Sequence, residues 1–333
     1  MSNYPNPFAS PLAYDVAVVI VSFNTKEILS RSLASLAGQG ATLNIQTIVV
    51  DNASHDGSAD MVTADFPHVD LVRSTVNLGF AAANNLGFTR LAAPYVVLLN
   101  PDAFLTPGTL QRAIAQMQAH PEAALGGGQL RDLNGRPQPS ARMFPSLLNE
   151  FLVLSGLSSR FPRSRLFGRF DRTWADPQVA SEVDWVPGAF CIIRRSALTE
   201  IDGFDERFFL YYEEVDLCRR LQAQGYQIWY WPDLVIDHIG GASSKTQRDL
   251  NFSEHGSQLT LWRLRSAILY YRKHHGATVA WLVTALEAGW HRLRAARRPV
   301  GSPGWESATR QMQTVNQAWL DTQGGKASPA RPW

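Results

Sequence analysis

Short apolar runs alternate with amphipathic or alanine-rich stretches through the first third of the chain. Four runs rich in β-branched and aliphatic residues occupy residues 16–21, 45–50, 69–72 and 95–99. Continuous apolar runs of this length are typical of strands that are buried on both faces, and the stretches between them have the spacing of helices. This alternation predicts an α/β fold with a doubly wound, mostly parallel, Rossmann-like sheet.

The remainder of the chain has a less regular pattern. Residues 131–145 are rich in Pro, Gly and Arg and are predicted to form a loop, whereas residues 190–194 and 228–231 are predicted strands. A helix is predicted between these strands, beginning near Glu213 and ending at Gly225. The chain is predicted to begin with an N-terminal extension (1–14) and a catalytic domain (15–250). This domain is divided into a nucleotide-binding half (15–125) and an acceptor and catalytic half (126–250). C-terminal helices that could contact a membrane (251–300) and a flexible tail (301–333) are predicted to follow.

Composition narrows the class of protein. Hydrophobic residues make up 45% and charged residues 18% of the 333 residues, which is typical of a globular protein. The net charge of +2 argues against nucleic acid as a partner. The two cysteines, Cys191 and Cys218, have no metal-type spacing, so a reducing cytoplasmic location is expected. Residues 1–14 lack the pattern of a signal peptide, and no apolar run reaches the length of about 18 residues that a transmembrane helix needs.

Polar side chains follow the predicted strands at their carboxyl ends, where parallel α/β sheets bind their ligands. In Asn100-Pro101-Asp102, the carboxylate could hold a divalent cation against a diphosphate, since Mg²⁺ and Mn²⁺ prefer oxygen ligands. The alternative is an ordinary turn, for which Asn, Pro and Asp are all favourable. His238 follows another predicted strand and is a second candidate metal ligand, although a lone histidine is more often structural.

Asp51 and Asn52 end the second predicted strand. A carboxylate here could accept a hydrogen bond from the ring N–H of a pyrimidine, and the amide could reach a ribose or a base edge. The alternative is that this segment caps the next helix, a role that Ser54 or Asp56 could also fill.

Three acids lie within four residues at a predicted helix start, in Glu213-Glu214-Val215-Asp216. Like charges this close raise at least one carboxyl pKa, which suits a general base. The alternative is that the acids interact favourably with the helix dipole. That alternative leaves the flanking aromatic residues unexplained, and aromatic surface beside carboxylates is typical of sugar sites; they are Phe208, Phe209, Tyr211 and Tyr212.

Residues 277–298 mix apolar and aromatic side chains with arginines. This pattern is typical of a helix that lies on an anionic membrane surface. It is equally typical of a helix that docks on the catalytic domain, and the sequence leaves both open.

Taken together, these motifs resemble the family 2 glycosyltransferases, and within them the rhamnosyltransferase-like group that builds bacterial cell-surface polysaccharides. The resemblance covers roughly residues 15–275, and the five motifs occur in the family's order and spacing. They are Val18-Val19-Ile20-Val21-Ser22-Phe23-Asn24, Val49-Val50-Asp51-Asn52-Ala53-Ser54, Asn77-Leu78-Gly79-Phe80 with Asn84-Asn85, Leu98-Leu99-Asn100-Pro101-Asp102, and Gly203-Phe204-Asp205-Glu206 through Tyr212-Glu213-Glu214-Val215-Asp216-Leu217.

The resemblance implies a GT-A fold and an inverting enzyme that moves a sugar, with rhamnose preferred, from a dTDP- or UDP-linked donor. The acceptor would be a hydroxyl of a cell-surface glycan or a lipid-linked molecule, and Mg²⁺ or Mn²⁺ would be the cofactor. By position, Glu214 would be the base, with Glu213 as the other candidate and Asp216 in support, and Asp102 and His238 would bind the metal. The nucleotide would contact Ser22, Asn24, Asp51, Asn52, Asn77, Gly79, Asn84 and Asn100, and the sugar or acceptor would contact Trp185, Gly188 and Ala189.

Two positions depart from the family pattern. Asn100 replaces the first acid of the usual Asp-x-Asp, which predicts a weaker metal site. Glu214 replaces the usual catalytic aspartate, which leaves the choice between Glu213 and Glu214 open. Two other functions were weighed: a nucleotidyltransferase, which usually needs a Gly-rich basic loop that residues 22–27 do not provide, and a glycan-binding protein on a degenerate transferase fold.

Overall fold

A computed structural model describes residues 12–39, 43–240 and 257–331. The strands are β1 (Val16–Ser22), β2 (Ile45–Asn52), β3 (Asp70–Ser74), β4 (Tyr95–Leu99), β5 (Ala103–Leu105), β6 (Ala123–Arg131), β7 (Ser181–Glu182), β8 (Phe190–Arg194) and β9 (Gln227–His238). The helices are α1 (Lys26–Ala37), α2 (Ser58–Asp65), α3 (Gly79–Phe88), α4 (Thr109–Ala119), α5 (Leu147–Leu154), α6 (Leu157–Arg160), α7 (Arg195–Glu200), α8 (Glu213–Ala223), α9 (Ser257–Ala296) and α10 (Pro303–Asp321).

All nine strands form one sheet in the order β3-β2-β1-β4-β8-β6-β9-β5, with β7 added to β9. The strands from β3 to β4 are parallel, β8 runs antiparallel to both of its neighbours, and β6 and β9 are again parallel. The predicted α/β fold with a mostly parallel sheet is therefore confirmed. The strand order reverses between β1 and β4, which is where open α/β sheets bind ligands.

Helices cover both faces of the sheet, so β1 is buried on both sides. Ala17 and Val19 lie in one core, while Val16, Val18 and Ile20 lie in the other. Successive strand residues point to opposite faces, and a strand in this environment must be apolar at every position. This is the physical reason why the continuous apolar runs predicted the central strands.

Strand β6 was not predicted, because its sequence contains Gly126-Gly127-Gly128 and glycine weakens strands. The glycines are explained by what packs on them. A Cβ at Gly126 would overlap the Trp231 indole, and a Cβ at Gly127 would lie 2.7 Å from Val186 Cβ. Three residues without side chains thus let large neighbours approach the middle of the sheet.

The predicted flexible tail at 301–333 is wrong for most of its length, because residues 303–321 form helix α10. Ser302 caps this helix by accepting a hydrogen bond from the Trp305 N–H, and α10 packs on α9 through a small cluster of apolar side chains. Helix α9 is interrupted at Gly276, whose φ is 85°. Its first half carries Tyr270 and Tyr271 into the main core. Within the described part of the chain, no helix is long and apolar enough to cross a membrane.

Candidate active site

The carboxyl ends of β1 and β2 bring Ser22 and Asp51 side by side in the sheet. Both residues are buried. Asp51 Oδ2 accepts a hydrogen bond of 3.1 Å from the Ser54 N–H, whereas Oδ1 is buried without a hydrogen-bond partner among the described residues. A buried acceptor of this kind is rare in folded proteins, and it fits a ligand that donates an N–H.

The two loops that follow β1 and β2 are tied together by their polar groups. Asn24, which has φ 52°, accepts a hydrogen bond of 2.8 Å from the His55 N–H, and its own N–H donates to Ser54 Oγ. Asp56 accepts hydrogen bonds from the N–H groups of Lys26 and Ser58, at the first turns of α1 and α2. The prediction that Ser54 or Asp56 caps α2 is wrong, because Gly57 occupies the N-cap position and no side chain caps the helix. Asp56 instead joins the starts of α1 and α2, and Asn24 has a positioning role at the sheet rim.

Three of the predicted nucleotide contacts, Asn52, Asn77 and Asn84, have side-chain amides that form hydrogen bonds within the protein. Asn52 Nδ2 donates to Asn77 Oδ1 at 2.9 Å, and Asn52 Oδ1 accepts the Leu78 N–H. Asn84 Nδ2 donates to the Phe80 carbonyl one helical turn earlier. These side chains shape the turn into α3, so the structure shows a positioning role for them.

Gly79 begins α3 with φ +80°, and a Cβ there would overlap the Phe209 carbonyl. Only glycine fits this close approach without strain. The contact is reinforced by the Phe80 N–H, which donates to the same carbonyl at 2.8 Å. The turn into α3 is thereby joined to the aromatic segment that precedes α8.

Asp102 and His238 are brought together by the pairing of β5 with β9, and Asp102 Oδ1 lies 3.5 Å from His238 Nε2. On the other side of the ring, Nδ1 lies 2.8 Å from Gln138 Oε1, and Gln138 Nε2 donates to the His238 carbonyl. Because an amide oxygen can only accept, Nδ1 donates this hydrogen bond, and Nε2 is the ring nitrogen that faces Asp102. A second polar group that fixes the tautomer in this way is typical of metal-binding histidines.

Asn100 directly follows β4, which lies in the sheet between β1 and the strands that carry Asp102 and His238. Its N–H donates to the Ala189 carbonyl at 3.0 Å. The prediction that Ala189 lines the acceptor pocket is wrong, because its methyl group is packed in the core. Gly188 lies closer to the site, since a Cβ there would be 3.8 Å from Glu214 Cβ.

A cavity of about 590 Å³ opens beside these residues. Glu214, His238 and Trp185 all lie in its wall, together with apolar and aromatic side chains. Trp185 is fixed by the hydrogen bond from Nε1 to the Met143 carbonyl and by Arg142, whose guanidinium lies 5.1 Å from the ring centroid. The cavity thus combines a carboxylate, an imidazole and an aromatic surface, a set of groups that suits a bound sugar.

Helix α8 begins after two consecutive tyrosines, Tyr211 and Tyr212, with φ values of 69° and 68°. This left-handed conformation costs about 1–3 kcal/mol for each non-glycine residue, and such strain clusters at functional sites. The turn places Glu213 and Glu214 in the first turn of the helix, and one oxygen of each carboxylate is buried without a partner among the described residues.

The two glutamates have different environments. Burial and the neighbouring charge of Glu214 raise the pKa of Glu213 well above its usual range. Burial also raises the pKa of Glu214, but backbone N–H groups and Arg142 oppose this shift. Glu214 lines the cavity, whereas Glu213 is buried and is not part of the cavity wall.

The comparison with known proteins agrees with this geometry. The sequence profile described as Glycosyl transferase family 2 matches residues 17–201. The chain belongs to this family. It is therefore a glycosyltransferase, as the motifs at the strand ends predicted.

Three relatives illustrate the similarity of this glycosyltransferase to known proteins. It is 30% identical over 232 residues to the N-acetylglucosaminyl-diphospho-decaprenol L-rhamnosyltransferase of Mycobacterium tuberculosis, covering 66% of this chain and 75% of that protein. It is 24% identical over 266 residues to the rhamnosyltransferase WbbL of Escherichia coli, covering 77% and 92%. A solved mannosyltransferase from Pyrobaculum calidifontis, in complex with GDP-Man and Mn²⁺, has a TM-score of 0.53 at 16% identity over 95% of this chain and 91% of its own. The last similarity supports the GT-A fold.

Asp216, predicted to support the catalytic acids, is completely buried on the side of α8 that faces the C-terminal helices. Its oxygens lie 2.8 Å from Arg220 Nε, 2.6 Å from Lys273 Nζ and 2.7 Å from His274 Nε2. Burial alone would raise the pKa of Asp216, but these hydrogen bonds and cations outweigh it and hold the pKa below its usual range. In this family 2 glycosyltransferase, Asp216 therefore anchors α9 to α8.

Replacing Asp216 with Asn is expected to lower the free energy of unfolding at neutral pH by about 3–5 kcal/mol, because it removes the counter-charge of Arg220 and one of the two carboxylates that pair with Lys273. The loss should shrink as the pH falls through the lowered pKa of Asp216, since the wild-type carboxylate is then protonated as well. Urea denaturation at several pH values measures both effects. Asp60→Asn, which removes an exposed ion pair with Arg73, is the matched control and should cost no more than about 1 kcal/mol.

Several functional residues of the glycosyltransferase were not predicted from the sequence. Gln138 lies in a segment predicted only as loop, and nothing in its local pattern indicates that it contacts His238. Arg142, Glu150 and Arg263 also reach the cavity from elements far apart in the chain. A pattern in a single sequence reports local structure, so these long-range contacts left no signal that could have been used.

Proposed function

We propose that this glycosyltransferase inverts the anomeric centre in a single displacement, with Glu214 as the general base. The observation that carries the proposal is the position of Glu214 in the cavity wall beside His238, with one carboxylate oxygen that has no partner among the described residues. A sugar hydroxyl is a weak nucleophile until a base takes its proton. Glu214 would accept that proton while the sugar moves from the diphosphate to the acceptor oxygen.

The contrast between the two glutamates supports Glu214 over Glu213. Two buried carboxylates that repel each other each disfavour charge on the other. Glu213 is the more deeply buried of the two, and burial and the charge of Glu214 raise its pKa well above its usual range. The Gly188 N–H, the N-terminal N–H groups of α8 and Arg142 favour negative charge on Glu214. The charged member of the pair is thus the one that faces the cavity.

Asp102, in the fourth motif, and His238, which lies outside the five motifs, fit the divalent cation that the family implies. We propose that Asp102 and His238 Nε2 would hold Mg²⁺ or Mn²⁺, because a carboxylate and an imidazole lone pair face each other across 3.5 Å. Such a cation, when bound, neutralises charge on the leaving diphosphate. Asn100, at the usual position of a first acid, would contribute a neutral side chain, so we expect a weaker site than two carboxylates would give.

The donor is proposed to be dTDP-rhamnose. Asp51 Oδ1, which is buried without a hydrogen-bond partner among the described residues, would accept the ring N–H of thymine or uracil, a donor that adenine lacks. The choice of rhamnose follows the two bacterial relatives, both of which are rhamnosyltransferases. The choice of thymine follows the family resemblance of the sequence motifs. A uridine-linked donor would use the same contact with Asp51.

The acceptor is proposed to be a glycan linked through a diphosphate to a lipid, as in the name of the mycobacterial relative. Two cations, Arg142 and Arg263, reach the cavity among mainly apolar residues such as Val153 and Phe170. Guanidinium groups bind phosphate oxygens well, and the apolar wall suits the adjoining part of a lipid. The arginines would then orient the acceptor hydroxyl towards Glu214.

Calorimetric binding of TDP, UDP, GDP and ADP, each with Mn²⁺ and with a chelator, tests the donor. We expect TDP to bind most tightly and only with the metal. Tighter binding of UDP would move the donor to a uridine-linked sugar while leaving the transferase mechanism intact. Failure of folded protein to bind any of the four nucleotides would contradict the proposed donor site.

Replacing Asp51 with Ala is expected to weaken TDP binding by about 10- to 100-fold, because a hydrogen bond to a charged acceptor contributes about 1.5–3 kcal/mol. GDP and ADP should be affected much less, so the preference for pyrimidines should fall. The same calorimetry measures this change. Asp15→Ala, which removes a carboxylate that only accepts the exposed Asn44 N–H, is the control and should leave all four affinities unchanged.

A further inference from the structure

Helix α5 has its polarity reversed relative to an ordinary surface helix. Its two polar residues, Asn149 and Glu150, are turned towards the protein, where Asn149 donates to the Phe144 carbonyl and Glu150 accepts from the Tyr271 hydroxyl. Leu147, Leu148 and Phe151 are 36%, 42% and 48% exposed. Positions i, i+1 and i+4 share one side of a helix, so these three residues form a continuous outward surface, the apolar face of α5.

A strongly basic segment follows this helix directly. Residues 158–172 contain five arginines and one acid, Asp171. Arg160 and Arg163 are exposed, and the exposed side chains of Phe161 and Leu166, at 46% and 52%, lie among them. Exposed apolar side chains interleaved with arginines match a bilayer surface, where the rings and leucines enter the acyl boundary and the guanidinium groups meet phosphates.

The apolar face adjoins the acceptor cavity. Asn149, Glu150 and Val153 of α5 line that cavity, and Val153 is itself 47% exposed. Phe170 of the basic segment lies in the same wall. A surface that held α5 would therefore hold the cavity next to it, as a lipid-linked acceptor requires.

We propose that the apolar face of α5 and the basic segment dock on the surface of an anionic lipid bilayer. The docking would bring the cavity to the level of the lipid headgroups. This inference deepens the proposed function, since it gives the lipid-linked acceptor a route to Glu214. The positive charge of the basic segment is what favours an anionic bilayer over a second copy of this same basic surface.

Residues 277–298, for which the sequence left a membrane contact open, include none of the side chains described in the cavity wall. Helix α9 packs on α10 through Leu264 and Ile268 in its first half and with Ala288 at the edge of the same cluster in its second. Trp281, Leu282 and Leu293 are exposed by 56%, 37% and 43%, so a contact through them would leave the cavity wall uninvolved. The packing favours the docking-helix interpretation of this segment.

Flotation of the full chain with vesicles tests the proposal without any substrate. We expect binding to vesicles of phosphatidylglycerol and phosphatidylcholine, and little binding to phosphatidylcholine alone. Leu148→Ser combined with Phe151→Ser should weaken binding at least about tenfold, because both side chains would lose their burial in the acyl boundary. Arg160→Gln combined with Arg163→Gln should weaken it about 25-fold, at about fivefold for each arginine.

The controls are chosen from other exposed apolar residues. Val300→Ser and Leu320→Ser, at sites 83% and 68% exposed, should leave vesicle binding unchanged. Trp281→Ser combined with Leu293→Ser tests residues 277–298 and should also have little effect. Circular dichroism melts establish that each variant is folded.

Three outcomes would overturn the proposal. The first is a wild-type chain that does not bind anionic vesicles, and the second is loss of binding only in the variant with Trp281→Ser and Leu293→Ser. The third is a set of α5 variants that bind vesicles normally but change from dimer to monomer in sedimentation. Turnover of a water-soluble acceptor analogue separates this proposal from the proposed function. The variant with both Leu148→Ser and Phe151→Ser should retain turnover of this soluble analogue. If the wild-type chain did not turn the analogue over, the proposed function would be contradicted, but the vesicle-binding result would still stand.

Discussion

Replacing Glu214 with Gln is expected to lower kcat by about 10²–10⁴-fold, the usual contribution of a general base. Gln keeps the shape of the side chain but cannot accept a proton from the acceptor hydroxyl. Donor binding should be nearly unchanged, because Asp51 and Asp102 do not depend on Glu214. Steady-state kinetics with a soluble acceptor, together with TDP calorimetry, separates loss of chemistry from loss of binding.

The pH profile gives an independent signature of this base. Because burial raises the pKa of Glu214, the decrease of kcat/KM on acidification should begin at a higher pH than it would for an ordinary carboxylate base. The remaining activity of Glu214→Gln should lack this decrease. The same raised pKa means that keeping Glu214 ionised at neutral pH destabilises the folded state, and that stability is regained as the pH falls. The Gln variant should therefore unfold at a temperature no lower than the wild-type chain.

Glu213→Gln is the matched control for the assignment. Glu213 is buried outside the cavity wall and its pKa is raised, which favours a neutral side chain, so the neutral amide should preserve activity within about tenfold. If Glu213→Gln removed activity while Glu214→Gln retained it, the two roles would be exchanged. If neither variant lost activity, the base would lie elsewhere and the proposed mechanism would be wrong.

The central sheet was predictable because one physical requirement produces both its fold and its sequence pattern. Residues 16–21 can be covered by helices on both faces only if each side chain is apolar, and this is visible without a structure. Strand β6 was missed for the opposite reason. Its glycines make room for Trp231 and Val186, and that requirement comes from distant residues. The helical tail was missed because the cluster that stabilises α10 needs α9, from another part of the chain.

The site was predictable to the same extent. Asp51, Asp102 and Glu214 follow strands or begin a helix, so their positions could be inferred from local pattern. Whether a polar residue binds a ligand or the protein depends on its partners, and the sequence does not contain these. Asn52 holds the turn into α3, while Asp216 anchors α9.

Replacing Asp102 with Ala is expected to remove the effect of Mn²⁺ on TDP binding and to lower kcat/KM by about 10²–10³-fold, since a metal at the diphosphate contributes several kcal/mol. His238 alone would supply too few ligands for a hard cation that binds mainly through oxygen. Calorimetry of TDP binding with Mn²⁺ and with a chelator measures the contribution of the metal to binding independently of catalytic activity. Asp237→Asn, next to His238 but paired with Arg131 at the surface, should keep the full response.

Two further variants turn this experiment into a graded test of the metal site. Gln138→Leu removes the group that fixes the His238 tautomer, and it should weaken Mn²⁺ binding by about 10- to 100-fold while sparing metal-free properties. Asn100→Asp adds the carboxylate at the usual family position and should strengthen Mn²⁺ binding, because charge attracts a divalent cation more than an amide does. An Asp102→Ala protein that responds to Mn²⁺ like the wild-type chain would contradict the proposed metal site. In that case, TDP binding that still depends on Asp51 would preserve the nucleotide site.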